Sequence, residues 1–224
     1  MGGRALERPT VLRAARPAGA GPWIGLMGGT FDPIHVGHLA IAEEARDALS
    51  LDRILFVPAG RPPHKAGVAV TDVAHRVAMV ELAIAGNAAF ELSRIEVERP
   101  GPSYTVDTVE TLAAHADVTV ILSVETFVEL PTWHAPERLL AAARMAVVPR
   151  EGYPAPDPAW ISSAFPGMEP RISYLEGPRL GLSSTALRAR VAAGRSIRYL
   201  VPDAVGAYIV TNHLYRTERR TAAS

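Results

Sequence analysis

Short apolar runs alternate with segments of helical spacing along most of the sequence, and this alternation constrains the fold more than any other feature. The apolar runs predict strands at residues 23–27, 53–59, 90–98, 118–123, 144–150 and 171–176. Apolar residues at helical spacing predict helices at residues 36–49, 72–86, 104–116, 135–143, 184–193 and 202–212. Strands and helices in alternation predict an α/β fold, with a doubly wound, mainly parallel sheet and helices on both of its faces.

The length and composition of the chain fit one globular domain. Its 224 residues include 23 basic and 23 acidic side chains, so the formal net charge is zero and no overall field favours nucleic acid or a membrane surface. The absence of cysteine excludes disulfides and thiolate metal sites, and it fits a reducing cytoplasm. No apolar run approaches the ~20 residues that a membrane span needs. We expect a single domain over residues 22–216, with disordered extensions at 1–21 and 217–224.

The stretch MGGTFDPIHVGH, residues 27–38, connects the first predicted strand to the first predicted helix. In open α/β sheets, ligands bind beside the carboxyl ends of the strands, which is where this turn lies. Gly28 and Gly29 let a bulky ligand approach the backbone, and the start of the helix offers free N–H groups to an anion. His35 and His38 stand one helical turn apart, so both can donate to the same phosphate group. We expect this turn to be exposed.

Other interpretations of the two histidines stay open on these residues alone. Two surface histidines beside a tight turn would need no ligand at all. A zinc pair is a further alternative, but no third ligand is evident and the spacing is not that of His-Glu-x-x-His. The turn also lacks the Gly-Lys-Ser/Thr of a Walker loop and the Gly-x-Gly-x-x-Gly of the dinucleotide fingerprint.

A second group of phosphate-binding residue types occurs in LSSTALRAR, residues 182–190. Ser183 or Ser184 can cap a helix that begins near Thr185, and Arg188 then lies one turn further on, on the side of the cap. Hydroxyls, free amides and a guanidinium together form a phosphate cradle. Taken alone, the segment is more typical of a capped helix with a solvated arginine, so its interpretation depends on the first turn.

These two segments resemble the signatures of the His-x-Gly-His nucleotidyltransferases, GGTFDPIHVGH matching the first motif and SSTALR the distal Ser-Ser-Thr-x-x-Arg motif. Three further segments are similar to the bacterial nicotinate mononucleotide adenylyltransferase family, namely VPAGRPPHK (57–65), SRIEVERPGPSYTVDT (93–108) and LPTWHAPERLL (130–140). The resemblance covers about residues 24–216. It implies a Rossmann-like nucleotidyltransferase fold and the transfer of AMP from ATP to nicotinate mononucleotide, with Mg²⁺, giving deamido-NAD and pyrophosphate.

The same resemblance implies a role for each matching residue. The residues implied in catalysis are His35, His38 and Arg188. The residues implied in ATP binding are Gly28, Gly29, Thr30, Phe31, His35, His38, Glu125, Ser183, Ser184, Thr185 and Arg188. The residues implied in acceptor binding are Lys65, which is the only lysine of the chain, Tyr104, Thr105 and Trp133. We expect no protein ligand for the metal, because Mg²⁺ would be held mainly by the phosphates of ATP.

Ser123 and Glu125 depart from the family pattern, which carries Gly-x-Asp before its Pro-x-Trp, with the Asp on the ATP ribose. Glu125 can still accept a ribose hydroxyl, but its extra methylene group shifts the carboxylate. Two alternatives stay open. One is another nucleotidyltransferase of the superfamily with a different acceptor, against which Trp133 and GPSYTVDT argue; the other, supported only by Ser123 and Glu125, is a catalytically weak nucleotide-binding regulatory protein. We expect no nucleic-acid or membrane partner, and the oligomeric state stays open, with a homo-oligomer among the options.

Overall fold

A computed structural model describes residues 21–63, 67 and 69–216 of the chain. Two of the sequence predictions lie outside the described residues. They are the disordered extensions, of which only Gly21 is described, and the predicted acceptor-binding residue Lys65. In the described part of the chain, no helix is long and apolar enough to cross a membrane.

A six-stranded sheet forms the centre of the molecule, with the strand order β3-β2-β1-β4-β5-β6. Every pair of neighbouring strands is parallel. The strands are β1 (Trp23–Gly29), β2 (Arg53–Pro58), β3 (Phe90–Leu92), β4 (Asp117–Ser123), β5 (Arg144–Val148) and β6 (Ile172–Tyr174). The doubly wound α/β class predicted from the sequence is confirmed.

Helices connect the strands on both faces of the sheet. They are α1 (Val36–Leu49), α2 (Val73–Ile84), α3 (Ile95–Glu98), α4 (Thr105–Ala113), α5 (Val124–Val128), α6 (Pro136–Ala142), α7 (Pro158–Ala164), α8 (Ser184–Ala192) and α9 (Asp203–Thr211). Short 3-10 turns lie at Leu130–Thr132 and Glu169–Arg171.

Two layers of apolar side chains, one on each face of the sheet, form the core. Alternate residues of β1 enter opposite layers: Met27 enters one, and Ile24 and Leu26 enter the other. The first layer receives buried residues from α1, α2, α8 and α9, and the second receives them from α4, α5, α6 and α7. The sheet is therefore covered on both faces, which is why its strands read as nearly continuous apolar runs.

One predicted strand is mostly wrong. The alternation in FELSRIEVE, residues 90–98, predicts a strand, but β3 ends at Leu92 and Ile95–Glu98 forms the short helix α3. Glu96 is buried in this helix and accepts a hydrogen bond of 2.8 Å from the Thr108 hydroxyl of α4. The alternation therefore does not mark the two faces of a strand, and Ile95 packs from α3 against the second apolar layer.

The segment at 150–160 contains the start of a helix that the periodicity does not indicate. Asp157 caps α7 by accepting a hydrogen bond of 2.8 Å from the backbone N–H of Ala159, and Pro158 is its first residue. An acidic cap followed by proline at the first helical position is a helix-start signal, so the sequence contained it.

Candidate active site

The sheet reverses its winding direction between β1 and β4, because the chain extends to one edge from β1 and to the other from β4. Ligands of doubly wound sheets bind outside the carboxyl ends of the strands at such a point. The turn at 28–38 lies at the end of β1, and Ser123 and Glu125 lie at the end of β4. Two of the predicted ATP-binding segments are therefore neighbours at the switch point.

The turn after β1 is buried, so the expectation that it is exposed is wrong. Phe31, Asp32 and Ile34 are 2%, 3% and 0% exposed, and His35 is 5% exposed. The turn is covered because α8 lies against it: the Ser184 hydroxyl donates to the backbone carbonyl of Pro33 at 2.8 Å. A substitution in this turn therefore needs a control for folding.

His35 and His38 stack on each other, with ring centroids 3.7 Å apart and an angle of 22° between the rings. The backbone N–H of His35 donates to Nδ1 of His38 at 3.2 Å. This hydrogen bond assigns the proton of a neutral His38 ring to Nε2, because Nδ1 acts as the acceptor. His38 thus has one N–H group left to donate to a ligand.

Both histidines are held in the neutral form. Burial, and secondly the positive charge of Arg150, lower the pKa of His35 to about 4. Burial, followed by His35 and Arg150, lowers the pKa of His38 well below 6.5. Near neutral pH the pair therefore offers neutral N–H donors, not fixed cations.

The two glycines of the turn differ in what surrounds them. A Cβ on Gly29 would meet the ring of Phe31 at 3.1 Å, which is too close without a shift. A Cβ on Gly28 would have Leu26 as its nearest neighbour at 3.6 Å, an ordinary contact. Nothing in the described part of the fold requires a glycine at position 28. Phe31 also places its ring edge-on to that of His38, with centroids 5.1 Å apart.

The distal motif lies directly against the first turn. Ser183 is the cap of α8, since its hydroxyl accepts from the backbone N–H of Ala186 at 3.1 Å. The Arg188 guanidinium donates through Nη1 to the backbone carbonyl of Asp32 at 2.7 Å and through Nη2 to the Thr185 hydroxyl at 3.3 Å. The structure thus brings together the two segments that the sequence singled out.

The Glu125 carboxylate is bound on both oxygens. Arg150 Nε lies 2.7 Å from one oxygen, and the Tyr153 hydroxyl donates to the other at 2.9 Å. Arg150 also donates to the backbone carbonyl of Leu182 at 3.3 Å, which ties Glu125 to the segment before α8. Ser123 is the cap of α5, where its hydroxyl accepts from the backbone N–H of Thr126 at 3.3 Å.

Two of the predicted acceptor residues, Tyr104 and Thr105, lie at the start of α4. Tyr104 precedes the helix and its side chain does not cap it, and Thr105 is the first helical residue. Tyr104 stacks on the ring of His134, with centroids 4.2 Å apart and an angle of 28°. Trp133 is half-buried and packs against the same apolar layer as Tyr104.

The sequence did not indicate which side chains support the turn after β1. Arg76 is 2% exposed and donates to the backbone carbonyls of Thr30 and Ala59, each at 2.8 Å. The Asp32 carboxylate accepts from the Tyr215 hydroxyl at 2.8 Å and from the backbone N–H of Thr71 at 3.2 Å. Arg76 could have been found as a charged residue on an otherwise apolar helical face; the contact of Tyr215 had no local signal.

No group of three or more His, Cys, Asp or Glu side chains within the described ranges is arranged to hold a metal ion. Two cavities lie elsewhere: one of about 1100 Å³ is lined by residues of α8 and α9, and one of about 850 Å³ lies at the amino ends of β1, β4 and β5. Neither is lined by a predicted site residue. The candidate site is defined by converging donors at the switch point and not by cavity volume.

A known family matches most of the sequence, including the segments that form this site. The family model described as cytidylyltransferase-like matches residues 26–190. The chain belongs to this family. Its match includes both motifs, from the turn after β1 to the end of the Ser-Ser-Thr-x-x-Arg segment.

Curated members of the family are similar over most of the chain. A probable nicotinate-nucleotide adenylyltransferase of Roseiflexus sp. is 51% identical over 195 residues, which is 86% of this chain and 98% of the relative. The protein of the same name from Thermomicrobium roseum is 43% identical, covering 87% of this chain and 92% of its own. These relatives, like the family model, place the chain among the nucleotidyltransferases.

Solved structures of other proteins share the fold. Nicotinic acid mononucleotide adenylyltransferase of Plasmodium falciparum, complexed with NaAD, matches with a TM-score of 0.71 at 19% identity, covering 87% of this chain and 97% of its own. The same protein complexed with APC matches with a TM-score of 0.69 at 18% identity. The cytidylyltransferase-like chain thus has the architecture of these enzymes.

Proposed function

We propose that this chain is an adenylyltransferase that moves AMP from ATP to nicotinate mononucleotide, giving deamido-NAD and pyrophosphate. The observation that carries the proposal is the contact between the two motifs, in which Arg188 of α8 donates to the carbonyl of Asp32 beside the histidine pair. Two helix starts, neutral imidazole donors and a guanidinium converge there, and each suits phosphate oxygens. The named relatives support the same reaction.

ATP would bind with its phosphates over the turn. The donors for these phosphates would be the Nε2–H of His38 and the Arg188 guanidinium, beside the positive end of the α1 dipole. The backbone N–H of Val36 is not one of them, because it donates to the carbonyl of Leu200 at 3.1 Å. Gly28 supports this placement, because no protein atom requires a glycine there and the open space suits a ligand. The remaining ATP contacts of the proposal come from Gly29, Thr30, Phe31, His35, Glu125, Ser183, Ser184 and Thr185.

Nicotinate mononucleotide would bind at the start of α4. Uncapped N–H groups after Tyr104 suit the pyridine carboxylate, and the partial positive charge of the helix start favours an anion. Trp133 would stack on the cationic pyridine ring, which prefers the electron-rich face of an indole. We also assign Lys65 and Thr105 to this acceptor site.

The reaction needs no covalent enzyme intermediate. An oxygen of the acceptor 5′-phosphate attacks the α-phosphorus of ATP, a new P–O–P bridge forms, and the bond from the α-phosphorus to the bridging oxygen breaks as pyrophosphate leaves. A phosphate monoester is already a competent nucleophile, so the protein positions the reactants and stabilises the charge on the phosphates. His35 and His38 would donate to these oxygens as neutral rings.

Mg²⁺ would enter with ATP as part of the substrate. The described residues offer no cluster of carboxylates for it, and such an ion keeps several waters and phosphate oxygens as ligands. The ion would neutralise charge on the phosphates. We place this reaction in the cytoplasm, which suits a chain without cysteine.

A pyrophosphate-release assay with ATP and Mg²⁺ tests the proposal. Nicotinate mononucleotide, nicotinamide mononucleotide, pantetheine phosphate and choline phosphate should be offered as acceptors, and CTP should replace ATP in a parallel series. We expect release with ATP and nicotinate mononucleotide to exceed release with every other pair. Preference for another acceptor would indicate a different transferase, and nucleotide binding without release would indicate a regulatory protein.

A further inference from the structure

Tyr215 lies at the end of the described chain, yet its side chain reaches the turn after β1. Its hydroxyl donates to Oδ1 of Asp32 at 2.8 Å, across 183 positions of sequence. The second oxygen of Asp32 accepts from the backbone N–H of Thr71 at 3.2 Å. These two hydrogen bonds occupy both carboxylate oxygens, so together they fix the orientation of a side chain that is 4% exposed.

Asp32 in turn borders the Arg188 guanidinium. Its backbone carbonyl accepts from Nη1 of Arg188 at 2.7 Å, and its carboxylate lies 4.0 Å from the same nitrogen. The Arg188 side chain is 27% exposed, so it also faces solvent. A guanidinium held on one edge by Asp32 and Thr185 has its remaining donors directed by those contacts.

The Tyr215 hydroxyl is one of the groups that stabilise the buried charge of Asp32. Asp32 is a buried carboxylate, and a buried charge is costly unless it is paired and hydrogen-bonded. The same carboxylate attracts Arg76, whose buried guanidinium otherwise contacts backbone carbonyls. Burial, together with this hydrogen bond to Asp32, raises the pKa of Tyr215, so its hydroxyl stays protonated and donates.

We propose that Tyr215 is a positioning residue for the phosphate site: by donating to the Asp32 carboxylate, it fixes the residue that orients Arg188 toward a triphosphate, through a hydrogen bond to its backbone carbonyl and the charge of its carboxylate. The chain after α9 is then part of the active-site support and not a passive end. The inference rests on the proposed function only in taking the turn at 28–38 and α8 as the site of the ATP phosphates.

Tripolyphosphate binding to the full chain, measured by calorimetry without an acceptor, tests this role. Tyr215→Phe removes only the hydroxyl, and we expect it to weaken tripolyphosphate binding about tenfold, the effect of losing one hydrogen bond to a buried charge. The kcat/KM for MgATP should fall by a similar factor, whereas KM for nicotinate mononucleotide should stay unchanged.

Tyr208→Phe is the matched control. Tyr208 is also half-buried and packs against the same apolar layer, but its hydroxyl bonds to His75 at 2.9 Å, outside the turn. It should leave tripolyphosphate affinity within about twofold of wild type. Equal affinities of the two variants would overturn the proposal, even if both lower the thermal midpoint.

Asp32→Asn tests the proposal through the direction in which tripolyphosphate affinity changes. If Asp32 were only a negative charge near an anion site, its removal would strengthen tripolyphosphate binding. Positioning predicts weaker binding, because the amide cannot accept from both Tyr215 and Thr71 in the same way. Stronger binding would overturn the proposal. If the variants behave as expected but no pyrophosphate is released with nicotinate mononucleotide, the proposed function fails and the role of Tyr215 stands.

Discussion

At the scale of single residues, the sequence predicts which side chains of the turn face a ligand, but it does not predict their chemical state. The spacing of His35 and His38 predicted two donors to one ligand. Their proximity to each other, at 3.7 Å between ring centroids, depends on the rotamers that the buried turn imposes. The hydrogen bond from the His35 backbone to His38 then decides the tautomer. Neither rotamer nor tautomer is accessible from residue spacing.

Substitutions of His38 can separate the roles of its two ring nitrogens, the acceptor Nδ1 and the donor Nε2. Asparagine can place its amide oxygen near the position of Nδ1, so His38→Asn keeps the acceptor for the His35 backbone and removes the Nε2–H donor. We expect kcat to fall by ~10²–10³, as for the loss of one preorganised donor. His38→Gln places an amide nearer to Nε2 and should retain more activity. The order is checked by single-turnover kinetics, and His38→Asn turnover within about threefold of wild type would contradict a role in transfer.

Arg188 is held at two places, and this predicts how its variants differ. Nη1 and Nη2 donate to Asp32 and Thr185 in different directions, which the ammonium of a lysine cannot reproduce with the same geometry. Arg188→Ala should raise KM for ATP far more than KM for nicotinate mononucleotide, and Arg188→Lys should restore only part of the loss. Initial-rate kinetics with each substrate varied in turn measure this. An equal rise in both KM values would indicate a structural role.

At the scale of elements, the bounds of long helices were predictable and the short ones were not. Helix α1 begins and ends where the pattern predicts, at Val36 and Leu49. The five residues of α5 and the four of α3 are too few to show a helical period. Glu96 of α3 is buried and accepts a hydrogen bond from Thr108 of α4, and such tertiary contacts override a local alternation.

The start of α4 predicts the preference between acid and amide acceptors. Its N–H groups can donate to a carboxylate, whereas the amide nitrogen of nicotinamide mononucleotide would place a donor against donors. We expect kcat/KM for nicotinate mononucleotide to be at least ~10²-fold above that for nicotinamide mononucleotide. Trp133→Ala should weaken both acceptors similarly, by ~0.5–2 kcal/mol, because they share the cationic ring. Comparable kcat/KM values in the wild type would contradict the nicotinate assignment and leave adenylyl transfer intact.

At the scale of the whole molecule, the site depends on contacts between distant parts of the chain. Asp32 meets Arg188 and Tyr215, which are 156 and 183 positions away. The alternation of strands and helices predicts that α8 packs on one face of the sheet that contains β1, but only in general terms. It does not predict which side chains meet, because that depends on strand order and helix packing. The motif residues were therefore predictable, whereas their supporting network was not.

The buried ionisable side chains at this edge of the sheet also predict how the free energy of unfolding responds to acid. Folding lowers the pKa of His35 from 6.5 to about 4, so between these values the unfolded chain binds a proton that the folded chain does not. The free energy of unfolding therefore falls as the pH is lowered through this window, by on the order of 3 kcal/mol for His35 alone. His38 shifts in the same direction and adds to the loss.

Glu96 contributes to the pH dependence of stability with the opposite sign. Burial raises its pKa, so as the pH falls the folded chain binds this proton at a higher pH than the unfolded chain does. Its protonation offsets part of the loss from the histidines. Urea unfolding at several pH values between 6.5 and 4 measures the balance. His35→Asn should make the acid loss of stability smaller, and Glu96→Gln, which keeps an acceptor for Thr108, should make it larger. A steeper pH dependence in His35→Asn than in wild type would contradict a neutral, buried His35, and with it the neutral donor pair at the phosphate site.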